Sequence, residues 1–89
     1  MDLRVAPTPF RGSTQLEISI PSSRRAALRI FDPAGRVVRT LFDGEMGAGH
    51  RSIAWDGRDA AGRPVASGIY FGSLLVDGRA VTRKVIRLP

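Results

Sequence analysis

The side chains best suited to chemistry lie in a polar segment, residues 56–67, that separates two apolar runs. Asp56 and Asp59 stand close together there, among the glycines Gly57 and Gly62. Two acids in one loop could hold Ca²⁺, but the segment lacks the alternating acids and the closing glutamate of a calcium loop. Aspartates in turns more often accept hydrogen bonds from nearby amides, and glycines there adopt positive φ. We therefore interpret these two metal-ligand candidates as turn-forming residues and expect no bound metal.

Nucleophilic catalysis has few candidate residues in this chain. It needs a nucleophile, a base and a group that orients the base, whereas the sequence contains one histidine, His50, and no cysteine. A single histidine among scattered serines is more typical of an exposed strand residue than of a general base. The glycines are spread between short apolar runs and do not form a phosphate-binding loop at the start of a helix. We predict that the chain is not an enzyme and uses no cofactor.

Basic residues outnumber acidic ones, with 14 Lys and Arg against 8 Asp and Glu, which gives a net charge of +6. Arg79, Arg83 and Arg87 share one parity and could form a basic row on a strand. A nucleic-acid surface would also need aromatic side chains between the basic ones, and most aromatics here occupy positions suited to a core. Charged edge strands also prevent edge-to-edge pairing, which is the interpretation that we favour over a nucleic-acid partner. A module that binds sugars or nucleic acid remains an alternative.

The elements that must position these residues are strands. Gly or Pro interrupts most windows long enough for a helix, whereas short apolar and β-branched runs recur about every 8–12 residues with turn residues between them. This pattern predicts an all-β sandwich or barrel formed by a single domain, residues 1–89, with no stretch long enough to span a membrane. The seven predicted strands are residues 3–6, 14–20, 26–31, 36–42, 50–55, 68–76 and 79–88.

Two turns and one irregularity follow from local chemistry. Residues 32–35, Asp-Pro-Ala-Gly, have the residue types that a type I turn favours at each position. Residues 77–78, Asp-Gly, predict a two-residue hairpin that joins the last two strands. Val38 and Leu41 cannot both lie on one face of a regular strand. The fourth strand is therefore expected to contain a bulge or to end early, before a loop at residues 43–49.

The sixth predicted strand is apolar on both faces. One face carries Tyr70, Leu74 and Val76, and the other carries Ile69, Phe71 and Leu75. A two-sheet sandwich buries only one face of each sheet. Either a loop, such as the one that contains Phe10, covers the second row, or that row forms an exposed patch. An exposed patch of this kind usually marks a surface that binds a partner.

Taken together, the motifs resemble a known family. The matching residues are Thr8-Pro9-Phe10, Asp32, Gly35, Trp55-Asp56-Gly57, Asp59, Gly62, Gly68, Tyr70-Phe71 and Arg83-Lys84-Val85. Spread over nearly the whole chain, they closely resemble the immunoglobulin-like domain of flagellar hook-capping proteins (FlgD-like) and the related type A C-terminal sorting domain of type IX secretion substrates. The family usually opens with Asn-Pro where this chain has Thr8-Pro9, and threonine can also cap a turn.

The resemblance implies a fold, a location and a set of partners. The fold is an immunoglobulin-like β-sandwich of about seven antiparallel strands, usually the last module of a longer bacterial protein that is secreted, periplasmic or held at the cell surface. The domain would serve sorting, secretion or surface attachment of that protein. In sorting domains the export machinery reads the final strands, and the matching positions here are Arg83, Lys84 and the strand start at Gly68–Tyr70. The partners would be the rest of the parent protein and the secretion machinery. The alternative is an assembly module, like the hook-capping domain, that contacts other subunits.

Overall fold

The computed structural model of the protein describes all 89 residues, which form seven strands and no helix. The strands are β1 (Asp2–Ala6), β2 (Thr14–Ile20), β3 (Arg24–Phe31), β4 (Val37–Met46), β5 (Gly49–Trp55), β6 (Gly68–Val76) and β7 (Arg79–Arg87). The predicted all-β class and the number of strands are confirmed. The chain contains no helix with the length and apolar character that crossing a membrane requires.

The strands pair into two antiparallel sheets that pack face to face. One sheet has three strands in the order β1-β2-β5, and the other has four in the order β4-β3-β6-β7. The chain changes sheets between β2 and β3, between β4 and β5, and again between β5 and β6. Two antiparallel sheets joined by such crossings form an immunoglobulin-like sandwich, in which the fourth strand here pairs with the third. It leaves β3 and β6 at the centre of the four-stranded sheet, with β4 and β7 at its edges.

The core lies between the sheets and follows from the alternation along each strand. In β2 the side chains of Leu16, Ile18 and Ile20 are buried, while alternate side chains face outward. Trp55, at the end of β5, is fully buried between the rings of Phe10 and Tyr70. The buried apolar cluster is Leu3, Phe10, Leu16, Ile18, Ile20, Ala26, Leu28, Ile30, Met46, Trp55, Tyr70, Leu74, Val76 and Val85.

β4 is longer than the sequence predicted, and the predicted loop at residues 43–49 is wrong. The strand continues to Met46, and a short turn leads from it into β5. The predicted bulge is present, because the register between β3 and β4 shifts between Leu28 and Arg29. This shift returns Phe42 to the inward-facing row and lets Met46 be fully buried. A fixed period of two cannot follow a strand through such a shift.

The two open sides of the sandwich are each bridged by one arginine. On one side, Arg83 Nε of β7 donates a hydrogen bond to the Leu3 carbonyl oxygen of β1, at 2.9 Å. On the other side, the guanidinium group of Arg51 in β5 lies 5.0 Å from the centre of the Phe42 ring in β4. Each contact joins an edge strand of one sheet to an edge strand of the other.

Candidate functional site

The connector that carries Asp56 and Asp59 links β5 to β6 and folds into tight turns. Asp59 Oδ1 accepts hydrogen bonds from two backbone N–H groups of its own turn, at 2.9 and 3.0 Å. Asp56 Oδ1 accepts one from the backbone of Arg58, at 3.1 Å, and another from the Arg39 guanidinium group, at 3.2 Å. These donors compete with a cation for the same oxygen atoms. No group of three or more His, Asp or Glu side chains is placed to hold a metal ion.

One of these turns occurs twice in the chain. The sequence-based predictions did not include this repeat. The pentapeptide Asp-x-Ala-Gly-Arg occupies residues 32–36, between β3 and β4, and residues 59–63 in the connector. In both copies the aspartate Oδ1 accepts hydrogen bonds from the amides two and four residues later, at 2.9 and 3.0 Å. The glycines Gly35 and Gly62 have φ of 83° and 81°. In the first copy, the backbone hydrogen bond from Arg36 lowers the pKa of Asp32 below its usual value.

Two aromatic side chains hold the connector against the sandwich. Trp55 Nε1 donates a hydrogen bond to the carbonyl oxygen of Arg58, at 3.0 Å. The Tyr70 hydroxyl donates one to the carbonyl oxygen of Ala66, at 2.6 Å, and burial raises the pKa of this hydroxyl. A tyrosine that bonds back to the loop before its own strand is the tyrosine corner of immunoglobulin-like sandwiches. These two bonds fix the connector at the point where β6 begins.

Gly57 lies beneath the side chain of Arg87, at the end of β7. Its φ of 73° lies in the left-handed region, and a Cβ at this position would collide with the Arg87 guanidinium group. Arg87 is half-buried, and its Nε atom is enclosed without a hydrogen-bond partner. Glycine adopts this φ without strain, and any other residue would also require the Arg87 side chain to shift.

The Thr8-Pro9-Phe10 motif docks on β7. The Thr8 hydroxyl accepts a hydrogen bond from the backbone N–H of Ile86, at 3.0 Å, and the backbone N–H of Phe10 donates to the Ile86 carbonyl oxygen, at 2.9 Å. The Phe10 ring is 2% exposed and packs against Trp55 in the core. Threonine therefore has a structural role at this position, and the Phe10 loop does not cover the outward row of β6.

The outward row of β6 is open to solvent. Ile69 is 45% exposed and Leu75 is 42% exposed, and Phe71 is half-buried between them. Phe71 lies opposite Phe31 of β3 on one side and Lys84 of β7 on the other. Because paired positions project from the same side of a sheet, these residues form one surface. We call it the apolar face; its apolar members are Ala27, Phe31, Val37, Ile69, Phe71, Leu75, Ala80 and Ile86.

A shallow hollow of about 410 Å³ opens at one end of the apolar face. Leu75 and the small side chain of Ala27 line it, and Arg25, Arg29 and Asp43 stand beside them. The Asp43 carboxylate accepts hydrogen bonds from Arg25, at 2.9 Å, and from Arg29, at 3.2 Å. One carboxylate is thus shared by two guanidinium groups.

The outward side of the three-stranded sheet has the opposite character. We call it the polar face; its members are Asp2, Arg4, Ala6, Gln15, Glu17, Ser19, His50, Ser52 and Ala54. The Ser52 hydroxyl oxygen lies 2.9 Å from Gln15 Oε1 and 3.1 Å from Glu17 Oε1, and its single proton serves one of these two acceptors at a time. His50 is exposed at the edge of this face and forms no side-chain hydrogen bond.

Arg83 and Lys84 are neighbours in β7 but project to opposite sides. Arg83 points toward the other sheet, where it bonds to Leu3 and lies 3.7 Å from an Asp2 carboxylate oxygen. Lys84 projects from the apolar face beside Phe71. The three arginines proposed as a row on this strand lie on its inward side, where Arg83 bridges the sheets and Arg87 covers the connector. A role of Arg83 and Lys84 in recognition stays a prediction. Of the two residues, Lys84 has the freer side chain.

The fold, the tyrosine corner and the connector define the chain as a structural immunoglobulin-like module. The model of the FlgD Ig-like domain family matches residues 6–74, and the chain belongs to this family. This confirms the resemblance drawn from the motifs. The basal-body rod modification protein FlgD of Salmonella typhimurium strain LT2 is 41% identical over 63 residues, which cover 71% of this chain and 25% of that protein. The chain thus spans about a quarter of the length of the curated relatives that it matches.

Two solved structures share the fold. Dimeric latent PorU from Porphyromonas gingivalis superimposes with a TM-score of 0.79 and 24% identity, over 98% of this chain and 9% of that one. FlgD from P. aeruginosa superimposes with a TM-score of 0.60 and 24% identity, over 97% of this chain and 67% of that one. At this level of identity the likeness concerns the fold alone.

Proposed function

We propose that this domain is a non-catalytic interaction module that joins a larger bacterial protein to a partner through the apolar face. The observation that carries the proposal is the uncovered row of Ile69, Phe71 and Leu75 on β6. Ser73 is the one polar residue in this row, and small soluble domains rarely leave so many apolar side chains on one sheet face open unless a partner covers them. The relationship to FlgD, a basal-body rod modification protein, supports a role in assembly. The parent protein would then act at the cell surface, in the periplasm or outside the cell.

Site-specific photo-cross-linking in the full-length protein, expressed in its own bacterium, tests this proposal. A photoreactive phenylalanine analogue is placed at Leu75 on the apolar face and, as the matched control, at Gln15 on the polar face. We expect a discrete cross-linked product with another protein, or with another part of the parent, from position 75 and none from position 15. Products from position 15 alone, or from neither position, would refute the proposal.

A role in sorting is the second candidate function. It is supported by the resemblance to type IX sorting domains and by the exposed side chain of Lys84 on β7, the last strand of the chain. The chain is fused to the C-terminus of a reporter that carries a signal peptide, in a bacterium competent for type IX secretion. Sorting predicts reporter at the cell surface, lost with Lys84→Glu and kept with Arg4→Glu on the polar face. A reporter that stays in the periplasm contradicts the sorting role and leaves the interaction role standing.

A further inference from the structure

We infer that the partner of the apolar face is an extended protein segment in which acidic side chains accompany large apolar ones. An acidic side chain of the segment would enter the hollow beside Leu75, and its apolar side chains would contact Phe71 and Ile69. This inference rests on the proposed interaction role and states the chemistry of the partner.

The charges among the apolar side chains favour an acidic partner. Arg25 and Arg29 share the single carboxylate of Asp43, and Lys84 forms no ion pair. Glu45 is the remaining carboxylate and lies on β4, the edge strand, opposite Arg25. The face therefore carries three cationic groups against two anionic ones. Charged hydrogen bonds to guanidinium groups are stronger than neutral ones, so a carboxylate is the group best bound there.

The rim of the hollow adds no unpaired acid. Asp77, in the turn between β6 and β7, pairs with Arg24 at 2.9 Å. The chain as a whole carries a net charge of +6, which would draw an acidic segment toward it and oppose the approach of a second copy. The preference for acidic side chains thus follows from the one excess cation of the apolar face, Lys84, and from the overall charge.

The dimensions of the apolar face favour a segment over a second copy of the chain. Strands about 4.8 Å apart that rise about 3.3 Å per residue give four strands of this length a face of roughly 600 Å². A stable interface between two folded proteins buries about 800 Å² of accessible surface on each partner, and apolar side chains occupy only part of this face. An extended segment needs less area because it can lie along one row of side chains, here Ile69, Phe71, Ser73 and Leu75, and reach the hollow at the end of that row.

The test uses the 89-residue chain labelled with ¹⁵N and three synthetic polymers as probes. These are a random copolymer of Glu and Tyr, a polymer of Glu alone, and a random copolymer of Lys and Tyr. We expect the Glu–Tyr copolymer to shift backbone amide resonances of β3, β6 and β7 at outward positions. The Glu polymer should bind at least about tenfold more weakly because it lacks apolar contacts, and the Lys–Tyr copolymer should not bind.

Two variants and a control locate the binding. Leu75→Ser removes an apolar contact, and Lys84→Glu reverses one charge on the apolar face. Each should raise the dissociation constant for the Glu–Tyr copolymer by about tenfold, as expected for a residue that contacts the bound segment. Arg4→Glu makes the same reversal of a basic charge on the polar face and should leave affinity within about twofold. Preserved dispersion of the amide spectrum shows that each variant is folded.

Three outcomes would overturn the inference. The first is no binding of the Glu–Tyr copolymer, and the second is amide shifts centred on the polar face or the connector. The third is equal affinity for the Glu polymer, or equal weakening by Arg4→Glu, either of which would mean general attraction to a basic protein. In each case the cross-linking experiment at Leu75 decides separately whether the apolar face binds a partner of different chemistry.

Discussion

The polar face and the apolar face are built on one core and have opposite surfaces. On the polar face, the outward residues of β2 are Gln15, Glu17 and Ser19, and they meet polar or small residues on both neighbouring strands. On the apolar face, the outward residues of β6 include Ile69 and Phe71, which meet apolar side chains on at least one neighbouring strand.

The difference between the two faces shows which apolar side chains folding requires and which it does not require. Each sheet needs one apolar side to form the core, and in β6 the inward residues Tyr70, Leu74 and Val76 already supply it. The outward row buries no comparable area, so the stability of the domain does not account for it. A second apolar row on a central strand is therefore better explained by an external contact.

Substitution of Trp55 should have the largest effect, because this residue supports both sheets. It is fully buried, with ring centroids of Phe10 and Tyr70 each 5.5 Å away. We expect Trp55→Ala to lower the free energy of unfolding by about 3–5 kcal/mol, enough to unfold many domains of this size. Urea denaturation followed by circular dichroism measures the loss.

The control for Trp55 is Leu75→Ser on the apolar face. Because Leu75 is 42% exposed, we expect its replacement to change the free energy of unfolding by less than about 1 kcal/mol. If this variant also unfolded the domain, the apolar face would be needed for folding and the contrast between the two faces would be lost.

Gly57 tests the connector that carries the chain from one sheet to the other. Gly57→Ala forces a positive φ on alanine and places a Cβ against Arg87, so we expect a loss of about 1–3 kcal/mol. Gly12→Ala is the control, since an added Cβ there meets no atom within 4 Å. Thermal denaturation of both variants measures the difference; equal melting temperatures would mean that the connector adjusts without cost.

The neighbours Arg83 and Lys84 test the assignment of inner and outer sides on β7. Arg83→Ala removes the hydrogen bond to the Leu3 carbonyl and should cost about 1 kcal/mol of stability, with faster amide exchange in β1. Lys84→Ala should change stability by less than about 0.5 kcal/mol. The opposite ranking, with Lys84 the more important for stability, would show that the two side chains have been assigned to the wrong sides.

Asp32 gives the smallest expected effect, at low pH. Its pKa is lowered from 3.8, first by the backbone hydrogen bond from Arg36, so its ionised form stabilises the folded state. This contribution is fully present above the unfolded pKa and is lost as the pH falls through the lower folded pKa. Asp32→Asn should therefore weaken the acid dependence of unfolding. Direct titration of the Asp32 carboxyl by NMR checks the shift, and a folded pKa at or above 3.8 would contradict it.

Much of the fold could be predicted because its causes are local. The alternation in β2 and the Asp-Gly turn between β6 and β7 need only neighbouring residues to be interpreted. The end of β4 could not be predicted in this way, because the shift beside Leu28 depends on how β4 pairs with β3. The repeated turn at residues 32–36 and 59–63 was available from the sequence alone, as two copies of one pentapeptide.

The candidate site could be predicted in part. The sequence singled out Ile69, Phe71 and Leu75 as a second apolar row, since alternation alone places them on one side of a strand. Whether the Phe10 loop covers that row depends on long-range contacts, and no local pattern contains them. The assignment of Arg83 to the gap between the sheets likewise requires the position of β1, which is distant in the chain.

By itself, the sequence determined the all-β class, the seven strands, the turn aspartates and the family, because strand periodicity and turn chemistry act over a few residues. Only the tertiary structure decided that β4 extends to Met46, that Phe10 lies in the core, and that the outward row of β6 is open. The reason is physical: burial depends on which distant strands pack together, and a sheet buries only the side that faces its partner.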